Sequence, residues 1–340
     1  MNNTISIKMI SMEDMINAGC FNVSASIEVM ERILIAFKEG KVRLPEKISQ
    51  IFDEKTQDRI NCMPATLLEE QVCGVKWVSV FPDNPHLRNT SNVSGVIILS
   101  ELENGYPFAI MDGTFITAHR TACMGAIGAK YLARNDSRVM GIIGSGEQAK
   151  MHLITFKDVH PEIEICRVAS RSKNSEQNFV DEMRKRFPDM SFEACESDYE
   201  KASTGADIIV TAISCQEPLL KAKTIKEGAY YCHVGGWEDE YKVPLKADKI
   251  VCDQWECVKH RTQTISRLYK QGKLKDEDIY ADIVDVIDGT KPGRETDHEF
   301  IYFNSVGLAF IDVAIAKSFY NKVLEKNLGN EWVMKKTAII

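Results

Sequence analysis

The chain has 340 residues, 44% hydrophobic and 27% charged, with 42 Lys plus Arg against 49 Asp plus Glu and a net charge of −7. That length supports one large or two medium globular domains, and an acidic balance without a basic block argues against tracking the phosphates of a nucleic acid. No apolar stretch reaches the length of a membrane span and no signal-peptide core stands out, so no membrane partner and a cytoplasmic location are expected.

The first amphipathic pattern is "SIEVMERILIAFKEGK", a helix with Ile27, Met30, Leu34 and Phe37 on one face and Gly40 as its stop. Residues 42 to 112 change to short β-rich segments with turn signals, such as "VCGVKWVSVFP" and "SGVIILSELENGYPFAIMDG". This texture predicts an antiparallel sheet. "FITAHRTACMGAIGAKYLA" reads as one long helix, with Ala118, Ala122, Gly125, Ala126 and Ala129 small enough for close packing. Beyond residue 138 apolar strands alternate with helical stretches: "RVMGIIG", "IEICRVAS", "MSFEAC", "ADIIVTAIS", "AYYCHVGG", "KIVCDQW". Runs of this kind predict a parallel sheet covered on both faces, wound by right-handed crossovers into a dinucleotide fold. The tail "SVGLAFIDVAIAKSFYNKVLEKN" is helical again and is expected to pack back on the N-terminal sheet.

Ten cysteines include no C-x-x-C, and several sit inside strand-like runs, so they read as small reduced core residues. The seven histidines show no H-x-x-x-H or cysteine-paired spacing, and no metal is expected. His233, at a strand end, reads as a satisfied core histidine that could also approach a site.

"VMGIIGSGEQAKMHLITF" breaks an apolar strand at Gly144, Ser145 and Gly146 and then opens a helix. A phosphate sits at a helix N-terminus only where backbone N–H groups are exposed and no Cβ blocks the approach. The usual G-x-G-x-x-G is incomplete here, because no third glycine follows Glu147 and Gln148. The following strand ends in "VASRSKNSE", where Ser170, Arg171, Ser172 and Lys173 stand in place of the acid that holds an adenosine ribose. Hydroxyls and cations there suit a 2′-phosphate, so NADP(H) is expected over NAD(H), with a solvated loop as the bland alternative.

Three cations lie in or beside apolar segments: Lys47 in "LPEKISQ", Lys76 in "GVKWVSV" and Arg120 in "ITAHRTAC". Singly, each would snorkel to water. Together, beside a nicotinamide ring, they would clamp a carboxylate, Arg120 supplying a planar fork. Arg59 could join them or pair with Asp58.

Several separated motifs occur in an order that resembles the ornithine cyclodeaminase/μ-crystallin family: "GVKWVSVFPDNP", "RNTSNVSGVIILSELENGYPFAIMDGTFITAHRTA", "IIGSGEQ" and "DGTKPGRETDHEFIYFNSVGLAFID". Within it, "KWVSVFPDNP", "SGVIIL" and "IVDVIDGTKPGRE" look most like the branch that oxidatively cleaves N-(2-amino-2-carboxyethyl)-L-glutamate to 2-oxoglutarate and 2,3-diaminopropionate. The resemblance implies an α/β chain with two domains. Residues 121–307 would form a Rossmann-type doubly wound NAD(P)-binding domain. Residues 1–120 with 308–340 would form an α+β substrate-binding and dimerisation domain, built from the N-terminal region and the C-terminal helix. It also implies a homodimer through the N-terminal sheet.

By the same resemblance Lys76, Arg120 and Lys47 are substrate-carboxylate ligands. Thr121, Asn304, Ser305 and Val306 lie at the nicotinamide, Gly144, Gly146, Glu147 and Gln148 at the diphosphate, and Thr211 in the cofactor site. The acid that helps cyclodeaminases handle ornithine is replaced by Asn61 in "RINCMP". The family's catalytic aspartate lands on Glu238 in "GGWEDEYKVPLKAD", with Asp239 next to it and without the proline-glycine turn that follows it in cyclodeaminases. The expected chemistry is hydride transfer between NADP(H) and the carbon of an amino-acid C–N bond, with Glu238, Asp239 or Lys76 handling the proton. The rivals are ornithine cyclodeaminase, cyclic ketimine reductase, alanine dehydrogenase and a cofactor-dependent binding protein without turnover.

Overall fold

The computed structural model describes residues 5–53, 55–214 and 216–335, so Cys215 falls outside the described residues. Two units share the chain, Met1–Arg120 with Leu308–Ile340 and Thr121–Gly307.

The first unit is a sheet of β1 (Ile5–Ile10), β2 (Val42–Arg43), β3 (Ile48–Asp53), β4 (Asp58–Leu67), β5 (Val72–Val80), β6 (Val93–Glu101), β7 (Pro107–Asp112) and a last strand, Asn330–Lys335. The predicted antiparallel sheet is present as β2-β4-β5-β6-β7, with β3 also on β4. Two strands lie outside that expectation. The N-terminal part begins with β1 rather than with a helix, and β1 runs parallel to β7 and antiparallel to the last strand. Its "ISIKMI" is six residues long, with Ser6 and Lys8 among apolar residues, too short a pattern to announce a partner from the far end of the chain.

Helix α1 (Val23–Lys38) is capped by the Asn22 side chain, which accepts from the Ala25 N–H at 2.9 Å, and it buries Ile27, Met30, Ile33 and Leu34. It ends as expected before Gly40, whose φ of +76° is the left-handed conformation that closes helices. The C-terminal helix, Ala309–Glu325, packs on α1 and on β4, β5 and β6, as expected of the tail. Phe310 on it stacks on Phe37, centroids 4.7 Å apart. On the sheet's other face Trp77 and Val96, directly paired across β5 and β6, are 44% and 41% exposed.

Helix α2 (Gly113–Leu132) carries the chain into the second unit. There all strand pairs are parallel: β8 (Val139–Ile143), β9 (Ile165–Ala169), β10 (Ser191–Ala194), β11 (Ile208–Thr211), β12 (Tyr230–His233), β13 (Lys249–Cys252), β14 (Ala281–Asp282) and β15 (Ile301–Asn304). Their order is β10-β9-β8-β11-β12-β15-β13-β14, the doubly wound arrangement whose direction reverses between β8 and β11. β11, β12, β13 and β15 are buried at every residue, as strands covered on both faces must be. The small residues of α2 serve the close packing expected: Ala122, Ala126 and Ala129 are fully buried, and the Gly125 carbonyl accepts from Tyr230 Oη at 3.1 Å. Among the described residues no helix is long and apolar enough to cross a membrane.

Candidate active site

In the first unit three charged side chains meet in the interior. β5 buries Val72, Gly74, Lys76 and Val78, so the period of two turns Lys76 toward the same covered face as its apolar neighbours. The absence of a side chain at Gly74 admits the C-terminal helix, since a Cβ there would lie 2.8 Å from Val313 Cγ2. That approach brings in Asp312. Lys76 Nζ donates to Asp312 Oδ1 at 2.7 Å and Arg120 Nε donates to the same oxygen at 2.8 Å. Lys76 is 1% exposed and Asp312 0%. Burial, and then the nearby Arg120 charge, lowers the Lys76 ammonium to a pKa of about 8 against the opposing pull of Asp312.

The structure thus brings Lys76 and Arg120 together through an acid that the sequence reading did not single out. Its one signal was a lone carboxylate in the apolar run "GLAFIDVAIA". Lys47 stands half-buried immediately before β3. Asn61, at the position of the missing acid, is buried and accepts from Ser49 Oγ at 2.8 Å. Arg59 donates to the Gln57 carbonyl at 2.8 Å.

In the second unit the bend after β8 lies at the topological switch point. Gly144 has φ +119°, and a Cβ on it would lie 2.6 Å from the Ala212 carbonyl oxygen just after β11. No other residue fits that position. Gly146 is the N-cap of α3 (Glu147–Val159), provides no side-chain cap, is exposed, and would direct a Cβ into open space. Helix N–H groups left uncapped beside empty space are what a diphosphate requires, so the turn fits a dinucleotide. Glu147 is exposed, Gln148 half-buried, and Lys150 bridges to Glu147 at 3.2 Å and Glu182 at 2.6 Å.

After β9, Ser170 is buried, Ser172 half-buried, and Arg171 and Lys173 exposed. Ser172 caps α4 (Lys173–Arg186), and Lys173 reaches Glu196 at 3.0 Å. The acid near this strand end is Glu176, fully buried, whose two oxygens accept from the N–H groups of Ser170, Glu196 and Ser197 at 2.7, 2.7 and 2.9 Å. It ties two loops together.

Both candidate catalytic acids are 0% exposed. Glu238 Oε2 accepts from Thr211 Oγ1 at 2.7 Å and the Gly235 N–H at 2.8 Å, while Oε1 accepts from the Ile213 N–H at 2.8 Å. The Thr211 hydroxyl also meets Tyr231 Oη at 2.8 Å. Asp239 Oδ1 accepts from Thr264 Oγ1 at 2.5 Å, and burial raises its pKa to about 6. His233 Nε2 lies 3.5 Å from Glu238 and 3.4 Å from Asp239, with its Nδ1 2.7 Å from Asn304 Oδ1. Asp253 Oδ2 gathers Ser305 Oγ at 3.0 Å and the N–H groups of Val306 and Gly307 at 2.8 and 2.9 Å. Thr121 is half-buried on α2. Among the described residues no cluster of three His, Cys, Asp or Glu could hold a metal ion.

Comparison with known proteins bears on the whole chain. Residues 8–327 match the model of the ornithine cyclodeaminase/mu-crystallin family. The N-((2S)-2-amino-2-carboxyethyl)-L-glutamate dehydrogenase of Staphylococcus aureus is 32% identical over 80% of this chain and 81% of its own length. The alanine dehydrogenase of Archaeoglobus fulgidus is 34% identical over 95% of this chain and 94% of its own. Among solved structures, the Thermococcus litoralis Delta(1)-pyrroline-2-carboxylate reductase in complex with NADH and L-proline superposes with a TM-score of 0.90 at 31% identity, covering 95% of this chain and 99% of that one. A doubly wound sheet with a glycine bend at its switch point, a second sheet holding a buried Lys–Arg–Asp trio, and a match along nearly the full length converge: the chain belongs to the ornithine cyclodeaminase/mu-crystallin family.

Proposed function

We propose that this chain is an NADP(H)-preferring enzyme that oxidises or reduces the C–N bond of a small amino or imino acid. Its most favoured substrate is N-(2-amino-2-carboxyethyl)-L-glutamate, cleaved to 2-oxoglutarate and 2,3-diaminopropionate. The observation that carries the reading is the buried pair of Lys76 and Arg120 on a single carboxylate, two positive charges against one. A buried site with net charge +1 calls for an anion, and the terminal nitrogens of Arg120 and the remaining protons of Lys76 suit an acid group. Relatives whose names specify amino acids, imino acids, NADH and NAD support the class.

A nicotinamide held at the Gly144–Gln148 turn would supply the two-electron chemistry. The chain's own residues would do the rest. Gly144, Gly146, Glu147 and Gln148 offer backbone to the diphosphate, and Ser170, Arg171, Ser172 and Lys173 face the adenosine end with hydroxyls and cations. Thr121, Asn304, Ser305 and Val306 belong to the nicotinamide end, where Asp253 fixes the 305–307 segment. Lys47 is a third, outer cation for a substrate with a second carboxylate. Reduction of an imine needs a proton at nitrogen, and Lys76, with its pKa of about 8, is the group that holds one near neutrality. Glu238 already accepts bonds at both oxygens, which fits it for shaping the 211–213 and 235 segments, so Asp239 ranks next as an acid–base group.

The exposed Trp77–Val96 face supports a homodimer through the first sheet, and the similar fold of an archaeal alanine dehydrogenase dimer supports a dimer without naming its interface. The buried cysteines Cys20, Cys166, Cys195, Cys232 and Cys252, none of them in a disulfide among the described residues, suit the cytoplasm.

The test is a screen of N-(2-amino-2-carboxyethyl)-L-glutamate, alanine, Δ1-pyrroline-2-carboxylate and ornithine with each nicotinamide cofactor, following cofactor absorbance and product together. Diaminopropionate formed with cofactor reduction is the expected result. Proline from ornithine without net absorbance change would replace the reading by a cyclodeaminase, and cofactor binding without turnover by a binding protein.

A further inference from the structure

We propose that Asp312 is the positioning residue of the acid-binding site: its Oδ1 holds Lys76 Nζ and Arg120 Nε in one place, so that both cations face a bound carboxylate together. The inference rests on the reading of Lys76 and Arg120 as ligands of the substrate acid.

Three observations carry it. First, both cations converge on one oxygen, at 2.7 and 2.8 Å, although Lys76 comes from β5, Arg120 from α2 and Asp312 from the C-terminal helix. Arg120 bonds through Nε, which leaves the two terminal nitrogens as the edge of the fork that a carboxylate can take in two parallel bonds. Second, Asp312 Oδ2 is buried and has no hydrogen-bond partner among the described residues. An acid present only to fasten a helix to a sheet would be expected to fill both oxygens. Third, the charges are unequal. Two buried cations repel each other, and a single anion between them lowers that cost without cancelling the charge that draws in the substrate.

The pH dependence follows. The charged groups facing Lys76 are Arg120 and Asp312, while its cross-strand neighbours, Met63 on β4 and Ile97 on β6, carry none. Burial and Arg120 favour the neutral amine, and Asp312 alone favours the ammonium. Acid binding should therefore weaken as pH rises through about 8 in the native enzyme. Without the Asp312 charge it should weaken from a lower pH.

The experiment uses the full-length enzyme loaded with cofactor and the acid selected by the screen above, comparing native enzyme, Asp312→Asn and Asp312→Glu across pH. For Asp312→Asn the alkaline fall of kcat/KM should move down by ~1 pH unit or more. Asp312→Glu should restore the native profile while lowering kcat/KM about tenfold, because the oxygen is displaced by one methylene. A folded Asp312→Asn enzyme with the native pH profile would overturn the proposal and reduce Asp312 to a helix tether. Should Asp312→Asn not fold, Asp312→Glu decides: an unchanged kcat/KM overturns the proposal and the tenfold loss supports it. If Lys76→Met and Arg120→Met leave KM for the acid unchanged, the carboxylate reading itself has failed. If they raise KM and the Asp312 profile stays put, only the positioning role has failed.

Discussion

The two units bury charge in opposite ways. In the first, one carboxylate sits between two cations, and the balance is left at +1. In the second, Glu176 and Glu238 are each buried among three N–H and O–H donors, and Asp253 among four. A carboxylate surrounded by backbone donors has its charge dispersed and its loops fixed. A pair of cations sharing one acid is incompletely compensated, which is costly in a closed interior and useful where an anion completes it. The contrast separates groups that hold a shape from groups held ready for a ligand.

The largest expected effect tests the uncompensated side. Lys76→Met or Arg120→Met should lower kcat/KM for the acid substrate by roughly 100-fold, on the scale of losing one desolvated charge-assisted contact. Cofactor affinity, measured by fluorescence titration, should stay within about twofold of native, because the change lies outside the second unit's network. An equal loss of cofactor binding would erase the distinction between the two units.

Glu238→Gln tests the compensated side. The amide can accept at one oxygen only, so its NH2 must face a donor among Thr211, Gly235 and Ile213. That mismatch should cost about 2–3 kcal/mol of stability, read as a lowered Tm, with a weakened hold on cofactor. A variant with the native Tm and abolished kcat would instead make Glu238 the proton acceptor, and the division drawn above would fail at its clearest example.

How much of this could be read in advance follows from the range of the interactions. Strands of the second unit are continuous apolar runs with helices between them, and "ADIIVTAIS" or "AYYCHVGG" states its burial within a few residues. The glycine bend is equally local, since strand, turn and helix adjoin in the sequence. Lys76 and Arg120 were conspicuous as charges in apolar company. Asp312 was not, because its meaning depends on Lys76, 236 positions away, and on a missing side chain at Gly74 that lets the helix approach. Strand β1 and the last strand escaped for the same reason, each being defined by a partner at the other end of the chain. Glu176, the last residue of "VASRSKNSE", gave no local sign that it fastens the loops after β9 and β10, because two of its three donors lie 20 and 21 positions away.

A smaller effect is expected at the bend, where two glycines should behave differently. Gly146→Ala adds a Cβ to open space and should leave Tm nearly unchanged while weakening cofactor binding about tenfold, because the methyl occupies room a diphosphate would use. Gly144→Ala must hold φ +119° with a Cβ against the Ala212 carbonyl, so it should lower Tm as well. Loss of stability in both variants, with cofactor affinity retained by the Gly146 variant, would make the bend a structural turn only.

The smallest effect separates the two cofactors. Arg171 is exposed beyond β9, and the nearest buried acid, Glu176, is already committed to three backbone N–H groups. That strand end therefore has cations and hydroxyls to offer a 2′-phosphate and no free carboxylate to offer a ribose. An exposed cation contributes modestly, so Arg171→Ala should lower the preference for NADPH over NADH by about threefold to tenfold, and more at low salt than at high. The ratio of kcat/KM values for the two cofactors at two ionic strengths measures it. A ratio that ignores both the substitution and the salt would return the "SRSK" segment to an ordinary solvated loop.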